Sequence, residues 1–117
     1  MDTIEKDLII QEFPLFADLS ARQRKIIKEH SSLLSFKKGE IIYQEGSASS
    51  GFYCLATGRV VVYARDNQGN NKTLEYLHRG KYFGIISLLT HEPHSVTAQA
   101  TNDCVPLVVN NDAFELV

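Results

Sequence analysis

The chain has 117 residues, of which 44% are hydrophobic and 22% charged, a composition that fits one domain with a single hydrophobic core. Its formal net charge of −2 gives no basic surface for a nucleic acid or an anionic membrane. We therefore expect no direct nucleic-acid contact by this segment. No apolar run approaches the roughly 18–20 residues that cross a bilayer, so we expect no membrane association.

The cysteine content indicates a reducing environment. Cys54 and Cys104 are too few for a disulfide framework, and each lies among apolar neighbours, where a free cysteine behaves as a small buried hydrophobe. The first ten residues, MDTIEKDLII, lack the basic-then-apolar order of a signal peptide. Both features predict a cytoplasmic protein.

The N-terminal segment is predicted to contain two helices. A weak amphipathic stripe covers residues 2–11, and Pro14 interrupts it because proline lacks an N–H. A second helix begins after Ser20, which forms an S-x-x-Q capping box with Gln23. His30 falls near the C-terminal end of that helix, where we assign it a structural role.

Short β-type runs separated by glycines follow from Leu33 to Val109. The runs are LLSF, EIIYQ, FYCLAT, RVVVYAR, KTLEYL, SVTAQA and VPLVV. The segment RDNQGNN between two of them is predicted to be a hairpin loop. Many short strands at regular intervals favour a sandwich, barrel or roll over a parallel α/β sheet.

The C-terminal residues NNDAFELV have the pattern of a helix start. Asp112 is the predicted cap, Glu115 follows three residues later and Phe114 opens an apolar face. One helical turn is unstable by itself, so we expect this helix to continue beyond residue 117 and an output domain to follow.

Several of these segments occur in an order that resembles the cyclic nucleotide-binding domain family. They are F..GE.I...G, FY.L..G.V.VY, G.YFG..SLL...P and the closing DAFELV, and the resemblance runs from about Phe16 to Val117. It implies a mainly β fold, an antiparallel β-roll (a jelly-roll-like double-stranded β-helix) preceded by two helices and followed by a C-terminal helix. The corresponding division of one domain, residues 1–117, is a helical segment at 1–32, a β-roll at 33–109 and the start of the last helix at 111–117.

The resemblance also implies a phosphate-binding cassette at residues 82–96. In the family, a short helix after Phe-Gly points its backbone amides at the cyclic phosphate, a glutamate next to the glycine binds the ribose hydroxyl, and an arginine binds the phosphate. Here Ile85 stands at the glutamate position and His94 at the arginine position, while the small residue after it is retained as Ser95. The candidate ligand-binding residues are Phe83, Gly84, Ile85, Ile86, Ser87, His94 and Ser95.

The two replacements predict weak binding of cyclic AMP. A hydrogen bond to a charged group contributes about 1.5–3 kcal/mol, so loss of the arginine alone weakens binding by roughly 10- to 100-fold. A ligand hydroxyl left facing Ile85 costs about 1–3 kcal/mol more, which moves a micromolar site toward the millimolar range. The sequence specifies no cofactor; the candidate ligand is cyclic AMP, cyclic GMP or another small anion, bound weakly.

Three interpretations of the cassette stay open. In the first, the cleft is empty and the domain is a structural or dimerising module in which Ile85 and Ile86 pack. In the second, the cleft binds an anion without a ribose hydroxyl, and His94 supplies a pH-dependent positive charge. In the third, the cleft binds a cyclic nucleotide weakly through backbone amides and Ser95. In each case we expect a regulatory domain of a larger signalling protein that forms a homodimer through its C-terminal helix. Its output is a DNA-binding domain, as in bacterial transcription regulators, or a kinase, channel or transporter.

Other chemistry is not supported by the sequence. The segment His91-Glu92-Pro93-His94 lacks the histidine spacing of a cupin metal site, and we predict no metal. His78 has the position of an axial haem ligand, but no second feature supports haem binding. No serine or cysteine stands in a nucleophile motif and no carboxylate pair has a supporting pattern, so we expect no enzymatic activity.

Overall fold

The computed structural model describes residues 2–116, with side-chain burial for residues 5–113. The helices are α1 (Asp2–Glu12), α2 (Ala21–Glu29), α3 (Ile85–Thr90) and α4 (Asn111–Leu116), with a 3-10 turn at Pro14–Phe16. The strands are β1 (Ser31–Leu33), β2 (Ile41–Tyr43), β3 (Gly51–Thr57), β4 (Arg59–Arg65), β5 (Asn71–His78), β6 (Tyr82–Phe83), β7 (Thr97–Ala100) and β8 (Val105–Asn110).

The strands form two four-stranded antiparallel sheets. The first has the order β1-β8-β3-β6 and the second the order β2-β7-β4-β5. Consecutive strands β3 and β4 belong to different sheets, as do β6 and β7, so the chain winds back and forth between the two layers. The predicted β-roll with flanking helices is confirmed.

Two apolar clusters form the core. The first joins α1, α2, α3 and α4 to the first sheet, and its buried members include Phe16, Ile27, Phe52, Leu107 and Ala113. The second lies between the sheets and is built on the aromatic and aliphatic side chains Tyr43, Tyr53, Leu55, Val60, Leu77 and Phe83. The cassette helix α3 contributes to the first cluster, and the strand before it contributes to the second.

The predicted start of α2 is confirmed in its atomic detail. The Gln23 backbone N–H donates to the Ser20 hydroxyl at 3.1 Å, and the Ser20 N–H donates to the Gln23 side-chain oxygen at 2.9 Å. Lys28 on α2 forms a 3.0 Å ion pair with Asp7 on α1. The capping box fixes the start of α2, and the ion pair links α2 to α1.

The observed strands differ most from the prediction at three places. The first strand lies at residues 31–33 rather than 33–36, because Ser31 pairs with Val109 immediately after α2, and only an isolated bridge to Cys104 remains at Phe36. The seventh begins at Thr97, two residues later than its apolar pattern indicates. β6 was not predicted at all, since a two-residue strand leaves no period-2 pattern.

The predicted cap of the last helix is also displaced. α4 begins at Asn111, so Asp112 lies in its first turn rather than at its cap. The Asn111 side-chain amide donates to the Ser49 carbonyl oxygen at 3.0 Å, and its backbone N–H donates to the Ser50 carbonyl oxygen at 3.2 Å. The start of α4 is therefore tied to the loop before β3. Within residues 2–116 no helix is long and apolar enough to span a membrane.

Candidate functional site

The turn between β6 and α3 requires glycine. Gly84 has φ +78°, a left-handed conformation that side chains rarely adopt. A Cβ added there would lie 3.1 Å from the Tyr53 ring and 3.3 Å from the Tyr43 ring. Phe83, just before it, is buried and stacks on Tyr53 with ring centroids 5.1 Å apart. The aromatic cluster of the second core thus fixes the start of the cassette.

The six-residue helix α3 has one buried face and one exposed face. Ser87 and Leu88 are buried, whereas Ile86 is 72% exposed and Leu89 is 61% exposed. The helix ends at His91, whose φ of +58° is the one positive value among the described residues other than glycine. The expected packing of Ile86 is therefore wrong, because this side chain points away from the core.

His94 is held in place by side-chain and backbone contacts. The residue is 4% exposed, its Nδ1 lies 2.9 Å from the Ser87 hydroxyl, and its ring stacks on Tyr43 at 3.7 Å with an interplanar angle of 12°. The Gly46 N–H donates to the His94 carbonyl oxygen at 2.7 Å, and the His94 N–H donates to the Ser47 carbonyl oxygen at 2.9 Å. The residue at the family's arginine position is an ordered part of the cassette wall.

Burial decides the charge state of His94. Desolvation lowers the pKa of the imidazole below its ordinary value of 6.5, so the ring is neutral at pH 7. Burial also raises the pKa of Tyr43, with a further contribution from Tyr53, which keeps the stacked phenol protonated. The positive charge expected from His94 under one of our three interpretations is therefore disfavoured by its own environment.

The seven predicted site residues all line one cleft between α3 and the second sheet. The cleft has a volume of about 430 Å³. Its wall consists of Tyr43, Val62, Glu75, Leu77, Tyr82, Phe83, Gly84, Ile85, Ile86, Ser87, His94, Ser95 and Val96. Ligand sites in proteins typically have volumes of about 300–1,000 Å³ and combine apolar walls with a few polar groups, and this cleft has both properties.

Sequence reasoning missed the opposite wall of the cleft. Tyr43 comes from β2, Val62 from β4 and Glu75 from β5, three strands remote in sequence from the cassette. Val62 and Glu75 are register partners, so both side chains point to the same face of the sheet. The alternation of side chains along β4 and β5 is enough to predict that Val62 and Glu75 share a face of the sheet. Only the pairing of β4 with β7 places that face opposite α3.

Ile85 connects the cleft to the C-terminal helix. Its half-buried side chain lines the cleft and also packs against the first core cluster. On that inner side it borders a small apolar cavity of about 140 Å³, which is also lined by Phe16, Phe52 and Ala113. Ala113 belongs to α4, so Ile85 lines both the cleft and a cavity that α4 also borders.

The other candidate features are separate from this cleft. In the described part of the chain no group of three or more His, Cys, Asp or Glu side chains is arranged to hold a metal ion. Cys54 and Cys104 are free and buried, and burial raises the pKa of Cys54 to about 12, so this thiol is unreactive. A wider groove of about 790 Å³ runs between α1 and the first sheet, and none of the cassette residues lines it.

The fold and the cleft define a β-roll sensor domain with a ligand cassette. A family model described as the cyclic nucleotide-binding domain matches residues 33–117. The chain therefore belongs to the cyclic nucleotide-binding domain family, as its sequence motifs predict.

Individual relatives fall into two groups. A cAMP-dependent protein kinase regulatory subunit of Mycosarcoma maydis is 33% identical over 97 residues, which cover 80% of this chain and 18% of the relative. The sensor domain of the transcriptional regulator DNR from Pseudomonas aeruginosa is 25% identical, with a TM-score of 0.87 and coverage of 97% of this chain and 77% of that one. A third structure, the regulatory subunit of a cAMP-independent protein kinase A from Trypanosoma cruzi bound to guanosine, has 20% identity and a TM-score of 0.88, and covers 97% of this chain and 42% of that one. The chain spans about a fifth of the length of the curated relatives it matches.

Proposed function

We propose that this chain is the regulatory sensor domain of a larger signalling protein and that a small molecule bound in the cleft controls the position of α4. The observation that carries the proposal is the open 430 Å³ cleft, which brings the seven cassette residues together. Ile85 lies between that cleft and Ala113 of α4. A ligand that contacts Ile85 more favourably in one position of α4 shifts the population toward that position.

The proposed ligand is not held by the two side chains usual in the family. Ile85 offers no acceptor for a ribose hydroxyl, and the neutral, buried His94 offers no charge to a phosphate. We therefore propose that cyclic AMP and cyclic GMP bind weakly, in the millimolar range or above. The fold itself does not select the ligand, because relatives of similar fold are described with cyclic AMP in one case and with guanosine in another.

Calorimetric titration with cyclic AMP and cyclic GMP tests this proposal. The matched control is the double variant Ile85→Glu/His94→Arg, which restores the two family side chains. We expect the double variant to bind cyclic AMP at least about tenfold more tightly than the unmodified chain, since one charge-assisted hydrogen bond has that effect. Saturable micromolar binding by the unmodified chain would contradict the proposed loss of phosphate recognition.

Coupling to α4 needs a separate readout. Hydrogen exchange of the α4 backbone amides, measured with and without a ligand that binds, reports whether occupancy of the cleft reaches the helix. We expect protection to change at residues 111–116 in the unmodified chain and to change less in Ile85→Ala. Binding that leaves the exchange of α4 unaltered would refute the sensor mechanism while leaving the binding site intact.

A ligand-independent structural module is the second candidate function. The observation in its favour is that Ile85, at the position of the ribose-binding glutamate, packs into the first core cluster. The exposed Ile86 and Leu89 would then belong to a protein interface rather than to a ligand site. Failure of every ligand to bind, together with dimerisation of the full-length protein, would favour this alternative.

The proposed setting is a cytoplasmic homodimer that regulates rather than catalyses. The buried free thiols Cys54 and Cys104 support a reducing compartment. The kinase regulatory subunits and the transcriptional regulator among the relatives support either of two outputs, control of a kinase or control of a DNA-binding domain. Dimerisation through the C-terminal helix is part of the proposal, and sedimentation of the full-length protein tests it.

A further inference from the structure

The charge of the cleft is opposite to what a phosphate requires. Among the described side chains its wall contains no lysine or arginine, and its one histidine, His94, is fixed as a buried ring between Ser87 and Tyr43. Within the same set, the acidic side chain of the wall is Glu75. At neutral pH the cleft therefore has a negative rather than a positive formal charge, which disfavours an anionic ligand.

Glu75 is placed to receive hydroxyl groups. It lies on β5, across the cleft from α3, and its partner Val62 on β4 sets it on the inner face of the sheet. Among the described side chains, residues 5–113, the ion pairs are Lys25–Glu29 and Lys28–Asp7, so within this range Glu75 is not engaged with a cation. An ionised carboxylate has two acceptor oxygens and no donor, which matches a pair of neighbouring hydroxyl groups.

The remaining wall suits a flat, apolar-faced ring. Val62, Leu77 and Val96 supply aliphatic surface on the sheet side, and on the cassette side Ile86 supplies aliphatic surface and the half-exposed Tyr82 an aromatic ring. The exposed hydroxyl of Ser95 adds a second polar group, which can both donate and accept. A heterocycle with a few polar edges can lie against such a surface, and its polar edges can reach Ser95.

We propose that the cleft binds an uncharged nucleoside, with its vicinal sugar hydroxyls donating to Glu75 and its base against the aliphatic wall, in preference to the corresponding cyclic nucleotide. This inference rests on the proposed sensor function and names the ligand class for the same cleft. The cyclic phosphate of a cyclic nucleotide fails here for two reasons. It brings a negative charge toward Glu75, and it uses one of the two hydroxyl groups that the carboxylate would bind.

The test is calorimetric titration of the chain with adenosine and guanosine, and with cyclic AMP and cyclic GMP, at concentrations up to about 1 mM. We expect each nucleoside to bind at least about tenfold more tightly than its cyclic nucleotide, as the loss of a charge-assisted hydrogen bond and the added repulsion imply. Glu75→Gln removes the charge at constant size and should weaken nucleoside binding about tenfold while reducing the discrimination against cyclic nucleotides. Glu12→Gln, which changes an exposed carboxylate on α1 that does not line this cleft, is the matched control and should change neither affinity.

The 2′,3′-dideoxynucleosides show whether Glu75 acts on the sugar. They should bind the unmodified chain about tenfold more weakly than the nucleosides, and this difference should disappear in Glu75→Gln. Melting curves without ligand confirm that both variants fold. Cyclic nucleotides that bind as tightly as nucleosides would overturn the inference and leave the sensor function standing, as would nucleoside binding that is insensitive to Glu75→Gln. Absence of saturable binding by adenosine and guanosine would overturn the inference, whereas the sensor function is tested separately by the hydrogen exchange of α4.

Discussion

Replacement of His94 by phenylalanine tests whether the buried imidazole stabilises the cassette as a neutral, hydrogen-bonded ring. Phenylalanine keeps a flat ring against Tyr43 but cannot form the 2.9 Å hydrogen bond with Ser87. Loss of that bond costs about 0.5–1.5 kcal/mol, and the larger ring adds about 1 kcal/mol or more of packing strain in a closed site. We therefore expect the free energy of unfolding at pH 8 to fall by about 1–3 kcal/mol.

The pH dependence of the same variant gives the sharper result. Burial places the pKa of folded His94 below the unfolded value of 6.5, so the unfolded chain takes up a proton more readily. The stability that comes from the neutral ring is complete above that unfolded pKa and is lost as the pH falls below it. At pH 5.5, one pH unit below the unfolded pKa, the unmodified chain has lost at most about 1.4 kcal/mol of its free energy of unfolding. His94→Phe has no imidazole to protonate and does not lose this stability. The difference in stability between the two proteins should narrow by up to that amount between pH 8 and pH 5.5.

Urea denaturation followed by far-ultraviolet circular dichroism, repeated across this pH range, measures the difference. His91→Gln serves as the control, since it removes an exposed histidine from the same loop without touching the buried pair. Its stability difference from the unmodified chain should change little with pH relative to that of His94→Phe. If the difference in free energy of unfolding between the unmodified chain and His94→Phe stays constant or widens at low pH, the assignment of a neutral, stabilising imidazole is refuted.

Four further substitutions test the local structure around the cassette and the N-terminal helices, each by thermal and urea denaturation. Ser20→Ala removes the hydroxyl that caps α2 and should lower the free energy of unfolding by about 1 kcal/mol, whereas Gln23→Ala, which loses the other half of the capping box, should cost less. His91→Gly should raise the free energy of unfolding by about 0.5–1 kcal/mol, because glycine adopts the φ of +58° without strain. An unchanged free energy of unfolding would mean that His91 is not strained in this conformation. Gly84→Ala should lower the free energy of unfolding by about 2 kcal/mol or more, because the new Cβ contacts Tyr53 and the backbone conformation is unfavourable for alanine. An unchanged free energy of unfolding would show that the turn can move.

Local signals were sufficient to predict the elements that depend on a few neighbouring residues. The capping box of Ser20 and Gln23, the break at Pro14 and the hairpin loop at residues 66–70 each follow from chemistry within five positions of the chain. The order of motifs also gave the seven candidate site residues, which line one cleft. These features share one property, which is that the information they need is contiguous in the sequence.

The rest of the site depends on strand pairing that no local pattern contains. Glu75 reaches the cleft only because β5 pairs with β4 and β4 pairs with β7, and the sequence of β5 by itself has no signal for either neighbour. The stacking of Tyr43 on His94 joins residues 51 positions apart. The neutral state of His94 could not be chosen from the sequence for the same reason, since its burial is created by side chains from β2 and α3 rather than by its own segment.

The backbone contacts of His94 separate the shape of the cassette from the identity of its side chains. The amide and the carbonyl of this residue are both bound by the loop at Gly46 and Ser47, so the path of the chain at position 94 does not depend on which side chain is attached. At position 85 the start of α3 is set by the glycine before it. Substitutions at positions 85 and 94 therefore change the chemistry of the cleft while the backbone contacts that shape it are kept.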